Sequence, residues 1–328
     1  MKKITLLVAL LLFAGLTNAQ KRKNIYLFKN NGKPVSLQDS ADYIRVIEEP
    51  DSGAVYFKLM EYYVNGKPKT IGSVSKFEPA LIYEGQFATY DDKGNKQTIF
   101  NYEANKPVGK GYYFFSNGKL NKVVDFDGAA SNFAGFQGQS RFNQPSKLDY
   151  YVDSLGQVLV ENGNGHFKIT VKAGSENYLQ EGEYVGGEKD GLWTEKNASG
   201  DFIYKEKYLK GKLLSGESYK DGKTYLYAVT DEFPTYQNGI QAFYAYLSRT
   251  VRYPRDAQDQ NISGTVLLSF VVEKDGKVAD AEVTRGVYPS LDDEALRVMR
   301  ISPKWIPGKQ RGVPMRVKYN VPIKFSLR

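Results

Sequence analysis

From Met315 to Leu327 the chain alternates without a break. The odd positions Met315, Val317, Tyr319, Val321, Ile323, Phe325 and Leu327 are apolar, and the even positions Arg316, Lys318, Asn320, Pro322, Lys324 and Ser326 are polar, charged or proline. A period of two over that length predicts a long strand with one buried face. Pro322 predicts where the strand lies, because a residue without an N–H group is tolerated in a ladder mainly at a sheet edge. With its nitrogen turned to the open side, the N–H groups of Arg316, Lys318 and Asn320 turn the same way. The stretch Met315, Arg316, Val317, Lys318, Tyr319, Asn320 and Val321 is therefore the expected docking edge for another extended chain.

Upstream, Ile240, Phe243, Tyr244, Leu247 and Val251 recur at helical spacing. They predict an amphipathic helix over 238–253, with Asn238 able to cap it and Pro254 ending it. From Gly264 to Glu273 the period falls to two, with Val266, Leu268, Phe270 and Val272 on one face. Asp275-Gly276 suits a tight hairpin turn. The second strand, 277–285, shifts its apolar parity after Val278, which allows for a bulge. Ser290 to Asp293 has capping-box spacing and opens a second helix, acidic at its start and with Arg297 and Arg300 at its end. Pro303 ends that helix. The order helix, strand, strand, helix, strand predicts an α+β domain, two helices on a three-stranded antiparallel sheet.

The segment YPRDAQDQNISGTVLLSFVVEKDGKV carries Tyr253, Pro254, Ala257, Gln258, Ile262, Gly264, Val266, Phe270, Val272, Asp275, Gly276 and Val278. With Leu291, Ala295, Trp305, Pro307, Gly308 and Lys309 further on, it resembles the C-terminal domain of TonB, the periplasmic energy transducer of Gram-negative bacteria. The resemblance covers about residues 239–328. It implies binding of a short extended segment, the TonB box, from the N-terminus of an outer-membrane transporter, added as a strand beside the last strand. The proline-rich spacer of that family has no counterpart, since the thirteen prolines are scattered.

Residues 1–19 read as a secretory signal: two lysines, an apolar run from Ile4 to Leu16, and small residues at Thr17 and Ala19 before Gln20. The run is shorter than the ~20 residues a spanning helix takes, which disfavours an uncleaved anchor. Residues 20–229 are rich in tyrosine and broken by turn signals at Asn30 to Lys33, Asn65 to Lys67, Asp92 to Asn95, Ser116 to Lys119 and Asp221 to Lys223, which predicts hairpins. A repeat runs through them: Tyr102, Gly109, Phe126 and Gly128 answer to Tyr184, Gly191, Tyr208 and Gly211. These segments are similar to MORN-type repeats, most clearly over 99–128 and 181–223. Residues 230–236 are the expected linker to a domain at 237–328.

Charge changes the picture only locally. The net +8 comes from the two lysines of the first 19 residues and from the chain after Gly239, where fifteen basic residues face nine acidic ones. Lys304 to Arg328 contains seven basic residues and no acidic one. Edge protection explains such a run, and so does steering of an anionic partner.

Catalytic chemistry finds no constellation. The single histidine, His166, reads as part of a hairpin tip without a partner. Glu181 and Glu183 share a strand face, which is commoner for solvated carboxylates than for a catalytic pair. Asp125-Phe-Asp127-Gly128 lacks the remaining ligands of a calcium loop. There is no cysteine, hence no disulfide and no thiolate metal site. Trp193 and Trp305 read as core residues. The expectation is a periplasmic, non-enzymatic protein without cofactor, metal or nucleic-acid partner, docking an outer-membrane transporter or receptor segment. The competing expectation is an envelope scaffold without energy coupling, its repeats binding envelope polymers and its last domain forming a homodimer.

Overall fold

The computed structural model describes residues 22–126 and 147–327. The expected signal segment with its cleavage before Gln20, and the Asp127–Gly128 end of the calcium-like segment, lie outside the described residues. The chain divides between Glu161 and Asn162 into two compact units.

The first unit is one antiparallel sheet of eleven strands: β1 (Lys23–Phe28), β2 (Pro34–Val35), β3 (Tyr43–Glu48), β4 (Phe57–Tyr63), β5 (Pro68–Lys76), β6 (Ile82–Tyr90), β7 (Lys96–Glu103), β8 (Lys106–Phe114), β9 (Leu120–Phe126), β10 (Lys147–Val152) and β11 (Val158–Val160). From β3 to β11 each strand pairs with the next in sequence, while β1 lies between β3 and β2. The turn signals read from sequence sit where hairpins close. The N–H groups of Gly32, Gly66, Gly94 and Gly118 each donate to the carbonyl three residues back at 2.9 Å, and each of these glycines has left-handed φ. No helix longer than the short 3-10 turn Gln38–Ser40 covers either face among the described residues.

With no second layer among the described residues, the sheet buries its rings against itself. Ile47, Leu59, Val74 and Phe87 form one core cluster of the sheet, and Val123, Val124, Phe126, Leu148, Val152 and Val160 are buried further along it. Phe87 lies over Gly72, and Phe126 over Gly111, so closely that a Cβ there would come within 2.5 and 2.7 Å of the ring. A different set of glycines sits opposite an aromatic residue on the next strand. Gly85 pairs with Tyr102, Gly109 with Phe126 and Gly191 with Tyr208, all three glycines at φ 62–69°. The repeat read from sequence is therefore a register relation between neighbouring strands.

The second unit begins with a six-stranded antiparallel meander: β12 (Gly165–Ala173), β13 (Glu176–Val185), β14 (Glu188–Lys196), β15 (Phe202–Leu209), β16 (Lys212–Lys220) and β17 (Lys223–Tyr227). Trp193 over Gly182 and Tyr227 over Gly216 repeat the ring-on-glycine packing.

The rest of the unit is α+β. Its elements are β18 (Asp231–Glu232), α1 (Gly239–Thr250), α2 (Arg255–Asp259), β19 (Gly264–Val272), β20 (Val278–Arg285), α3 (Pro289–Arg300), β21 (Lys309–Gln310), β22 (Val313–Pro314) and β23 (Val317–Phe325). The main sheet has the order β20-β19-β23, and β18, β21 and β22 make a second small sheet. Phe243 and Leu247 of α1 and Leu291, Ala295, Val298 and Met299 of α3 pack on Val266, Leu268, Phe270, Ile323 and Phe325 of the main sheet, with Trp305 in the same core.

Several details depart from the sequence reading. Helix α1 stops at Thr250, three residues short of Tyr253, and Asn238 is left-handed at φ 63° with no side-chain cap bond. Ile240 and Tyr244 of the expected apolar stripe are about half exposed. Helix α2 is an extra turn that the motif residues Ala257 and Gln258 form. Helix α3 opens at Pro289, whose fixed φ suits the first helical position, so Ser290 falls inside the helix and its Oγ has no partner. The bulge in β20 is present: Asp280 is left-handed, and the pairing shifts between Ser269↔Glu282 and Val271↔Ala279.

Candidate functional site

Strand β23 forms because its odd residues have a core to enter. Val321, Ile323 and Phe325 are buried, Val317 and Tyr319 are half-buried, and Lys318, Asn320, Pro322 and Lys324 are exposed. It pairs with β19 in unbroken register from Gly264↔Phe325 to Val272↔Val317. Pro322 stands opposite Leu267 in that register without a shift. A ladder that continues through a proline places that nitrogen on the side away from β19, and by alternation the N–H groups of Lys318, Asn320 and Lys324 share that side. Among the described residues no strand pairs there, since β23 ends the sheet order. The edge begins at Val317 and not at Met315. The Met315 N–H donates to the Gly308 carbonyl at 2.8 Å, which turns that residue into the preceding loop.

Two of the cations beside this edge are already engaged. Lys318 Nζ lies 2.9 Å from Glu282 Oε1 on β20. Arg316 Nε lies 2.7 Å from Glu273 Oε1, and the same guanidinium also binds Asp280. The hydrogen bond to Glu273, with that to Asp280, holds the Arg316 guanidinium above its ordinary pKa. Two cations of the run are thus compensated on the sheet face, which weakens steering there and leaves edge protection as their clearer role.

The motif residues behind the edge are structural. Trp305 packs on Tyr236, Phe243, Phe270 and Tyr319 at ring distances of 5.2–5.7 Å. Its backbone N–H donates to the Gly276 carbonyl at 2.8 Å, and its indole N–H to Ser302 Oγ at 3.1 Å. A Cβ on Gly276 would come within 2.0 Å of the Trp305 carbonyl oxygen, and φ is 84°, so glycine is required on both counts. Asp275 closes the adjacent turn by accepting the Lys277 N–H at 3.1 Å. Pro254 precedes α2 and accepts the Gln258 N–H at 3.0 Å, Ala257 is fully buried, and the Tyr253 hydroxyl donates to the Ile262 carbonyl. Gly264 opens β19 against Val287, and Gly308 lies against Val317, each too close for a Cβ. Pro307 stands between Ile306 and Gly308.

Two arrangements were not foreseen. The turn between β21 and β22, Arg311-Gly312 at φ 48 and 76°, reaches the ring-lined face of the six-stranded sheet. The Arg311 guanidinium stacks 3.9 Å over Tyr204 and donates to Glu206 Oε1 at 2.8 Å. Glu206, with no exposed surface, also accepts the hydroxyls of Tyr227 at 2.8 Å and Tyr208 at 3.0 Å. Ser218 Oγ donates to the Arg311 carbonyl at 2.7 Å. Burial pushes the Tyr204 hydroxyl up to about 12, and burial with the Glu206 hydrogen bonds raises Tyr208 and Tyr227 as well. Only an arginine in a tight turn hinted at this in the sequence.

His166 is the second. It lies inside β12, not at a hairpin tip, and it has partners: Nδ1 is 2.6 Å from Glu183 Oε1 and Nε2 is 3.0 Å from Glu181 Oε1. The hydrogen bond to Glu183 leads in raising its pKa, partly offset by desolvation. Lys168 also binds Glu181, at 3.2 Å. With its partners on an exposed strand face, the group forms an ion-pair cluster, and no set of metal-ligating side chains gathers among the described residues. Trp193 and Trp305 are core, as expected.

Residues 249–327 match the family model for the Gram-negative bacterial TonB protein C-terminal domain. No curated protein matches the chain. The matched domain is one of transport and interaction in the Gram-negative envelope, not of catalysis. Among the described residues no helix is long and apolar enough to cross a membrane.

Proposed function

We propose that this chain is a periplasmic, TonB-type binding protein that docks an extended segment of an outer-membrane transporter or receptor on the open edge of β23. The observation that carries the reading is the unpaired edge itself, with Pro322 built into the ladder and outward N–H groups on Lys318, Asn320 and Lys324. An added strand gains main-chain hydrogen bonds there, each worth ~0.5–1.5 kcal/mol net. The hairpin sheets are MORN-like in this reading, on the strength of the left-handed glycine that recurs opposite an aromatic residue.

Lys318→Pro tests it, because the change removes one outward donor while Val317 and Tyr319 keep the inner face. A synthetic peptide with the sequence of an outer-membrane transporter's extended N-terminal segment should bind at least about tenfold more weakly, at ~1.4 kcal/mol per decade. Lys318→Gln keeps the N–H, loses the Glu282 ion pair, and should bind the peptide nearly as the parent does. Equal affinity of a folded Lys318→Pro protein and the parent would remove β23 as the docking edge. The same edge is self-complementary in an antiparallel sense, so a second copy is the competing occupant. Sedimentation that shows a dimer abolished by Lys318→Pro would favour that second reading.

A further inference from the structure

The first unit carries a groove that strand addition does not use. On the face where Phe87 and Phe126 cover Gly72 and Gly111, a cavity of about 520 Å³ opens over β5 to β8. Its walls are rings. Phe100 meets Tyr113 and Phe126 edge-on at 5.2 and 5.4 Å, so both faces and edges of aromatic side chains line the space. Between the rings stand the short polar side chains of Thr70, Thr89 and Thr98.

The lining of the cavity includes Lys69 and no carboxylate. Lys122 lies 4.0 Å over the ring of Tyr113, which is itself part of the wall. Burial pushes both ammonium groups below their ordinary pKa. Glu61 and Asp42 are the carboxylates nearest in effect to Lys69, and each is paired elsewhere, Glu61 with Arg45 at 2.7 Å and Asp42 with Lys29 at 3.5 Å. Among the described residues no ion pair joins a carboxylate to Lys69 or Lys122. For Lys122 burial is the only cause of the shift, and a half-desolvated cation of that kind favours an incoming anion.

We propose that this face binds a carboxylate-bearing oligosaccharide, its sugar rings lying on the aromatic side chains and its carboxylates meeting Lys69 and Lys122. The backbone of β5 to β8 is committed to ladder pairing on both sides, so an extended peptide finds no main-chain partner in the middle of this sheet. Side chains alone must recognise the ligand. Flat C–H surfaces suit the rings, hydroxyls suit the threonines, and an anion suits the lysines. The ring-lined face of the six-stranded sheet is filled from within its own unit, by the Arg311 turn on Tyr204 and Glu206. Among the described residues the corresponding space here is open.

Titration calorimetry of the full chain with an oligogalacturonate tests the proposal, with its neutral galactan counterpart and an oligoglutamate as comparisons. Oligogalacturonate should bind with an affinity that falls with salt. Both comparison ligands should bind at least about tenfold more weakly. Lys69→Gln with Lys122→Gln should weaken oligogalacturonate by a similar factor, and Lys318→Pro should leave it unchanged. Tyr113→Ala, if its thermal transition is retained, should weaken it too. The two glutamine changes fall on partly exposed side chains and serve as the readout if Tyr113→Ala fails to fold. The proposal is overturned by absence of oligogalacturonate binding, by equal binding of either comparison ligand, or by full affinity in the double glutamine variant.

Discussion

His166 stands between two carboxylates across the β12–β13 pair, and as the only histidine it gives a single resonance to follow. Its folded pKa is raised above the ordinary 6.5, first by the hydrogen bond to Glu183. A raised pKa in the folded state means a contribution to stability that is fully present below the unfolded value. It fades as pH rises through the folded value. A proton NMR titration should therefore place the His166 midpoint above 6.5, and Glu183→Gln should bring it back toward 6.5. An unchanged midpoint in Glu183→Gln would show that the contact is absent in solution. All three residues drew notice in the sequence, yet nothing there joined them. The link is the register set by the Gly174-Ser175 turn, which pairs Ala173 with Glu176 and so brings His166 opposite Glu183. Folding the sequence back on that turn would have found it.

Strands in these two sheets are held by two kinds of glycine, and substitution separates them. At Gly182 a Cβ would come within 2.3 Å of the buried Trp193 ring. Gly182→Ala should destabilise the second unit by ~1–3 kcal/mol, as overpacking of a filled core does. Gly109 has open space around its Cβ position but a φ of 62°. Asparagine tolerates that conformation, so Gly109→Asn should cost less than ~1 kcal/mol. Denaturant melts of the two variants check the contrast, and a Gly182→Ala protein as stable as the parent would disprove the ring-on-glycine account. The turns, the alternation of β23 and the two long helices were legible because each is written in a few consecutive residues. Helix ends were less so. Pro289 moved the start of α3, and Asn238 took a left-handed conformation instead of a cap, both choices that depend on how the chain enters the helix.

At the scale of the molecule, the tie between Arg311 and Glu206 matters most for the second unit. The pair joins residues 105 apart in sequence, which is why no local pattern announced it. It joins the six-stranded sheet to the α+β part, and both lie in one compact unit. Removing one partner of a buried ion pair leaves the other charge uncompensated, at about 3–5 kcal/mol. Arg311→Ala should cost toward the lower end of that range, since the guanidinium is 31% exposed and Glu206 is fully buried. In calorimetry of the full chain, the transition of the second unit should also broaden or split. A transition of unchanged midpoint and width would mean that the sheet and the α+β part are joined by other contacts.

A sheet whose rings cover glycines of adjacent strands has a further property. Its stabilising contacts run from strand to neighbouring strand, so the energy of the array grows by increments, much as in stacked repeats. Nothing in that arithmetic fixes a width. Eleven strands in one unit and six in the other are two lengths of one construction. The gain or loss of an internal hairpin would change the reach of the array while leaving the remaining ring-on-glycine joints intact.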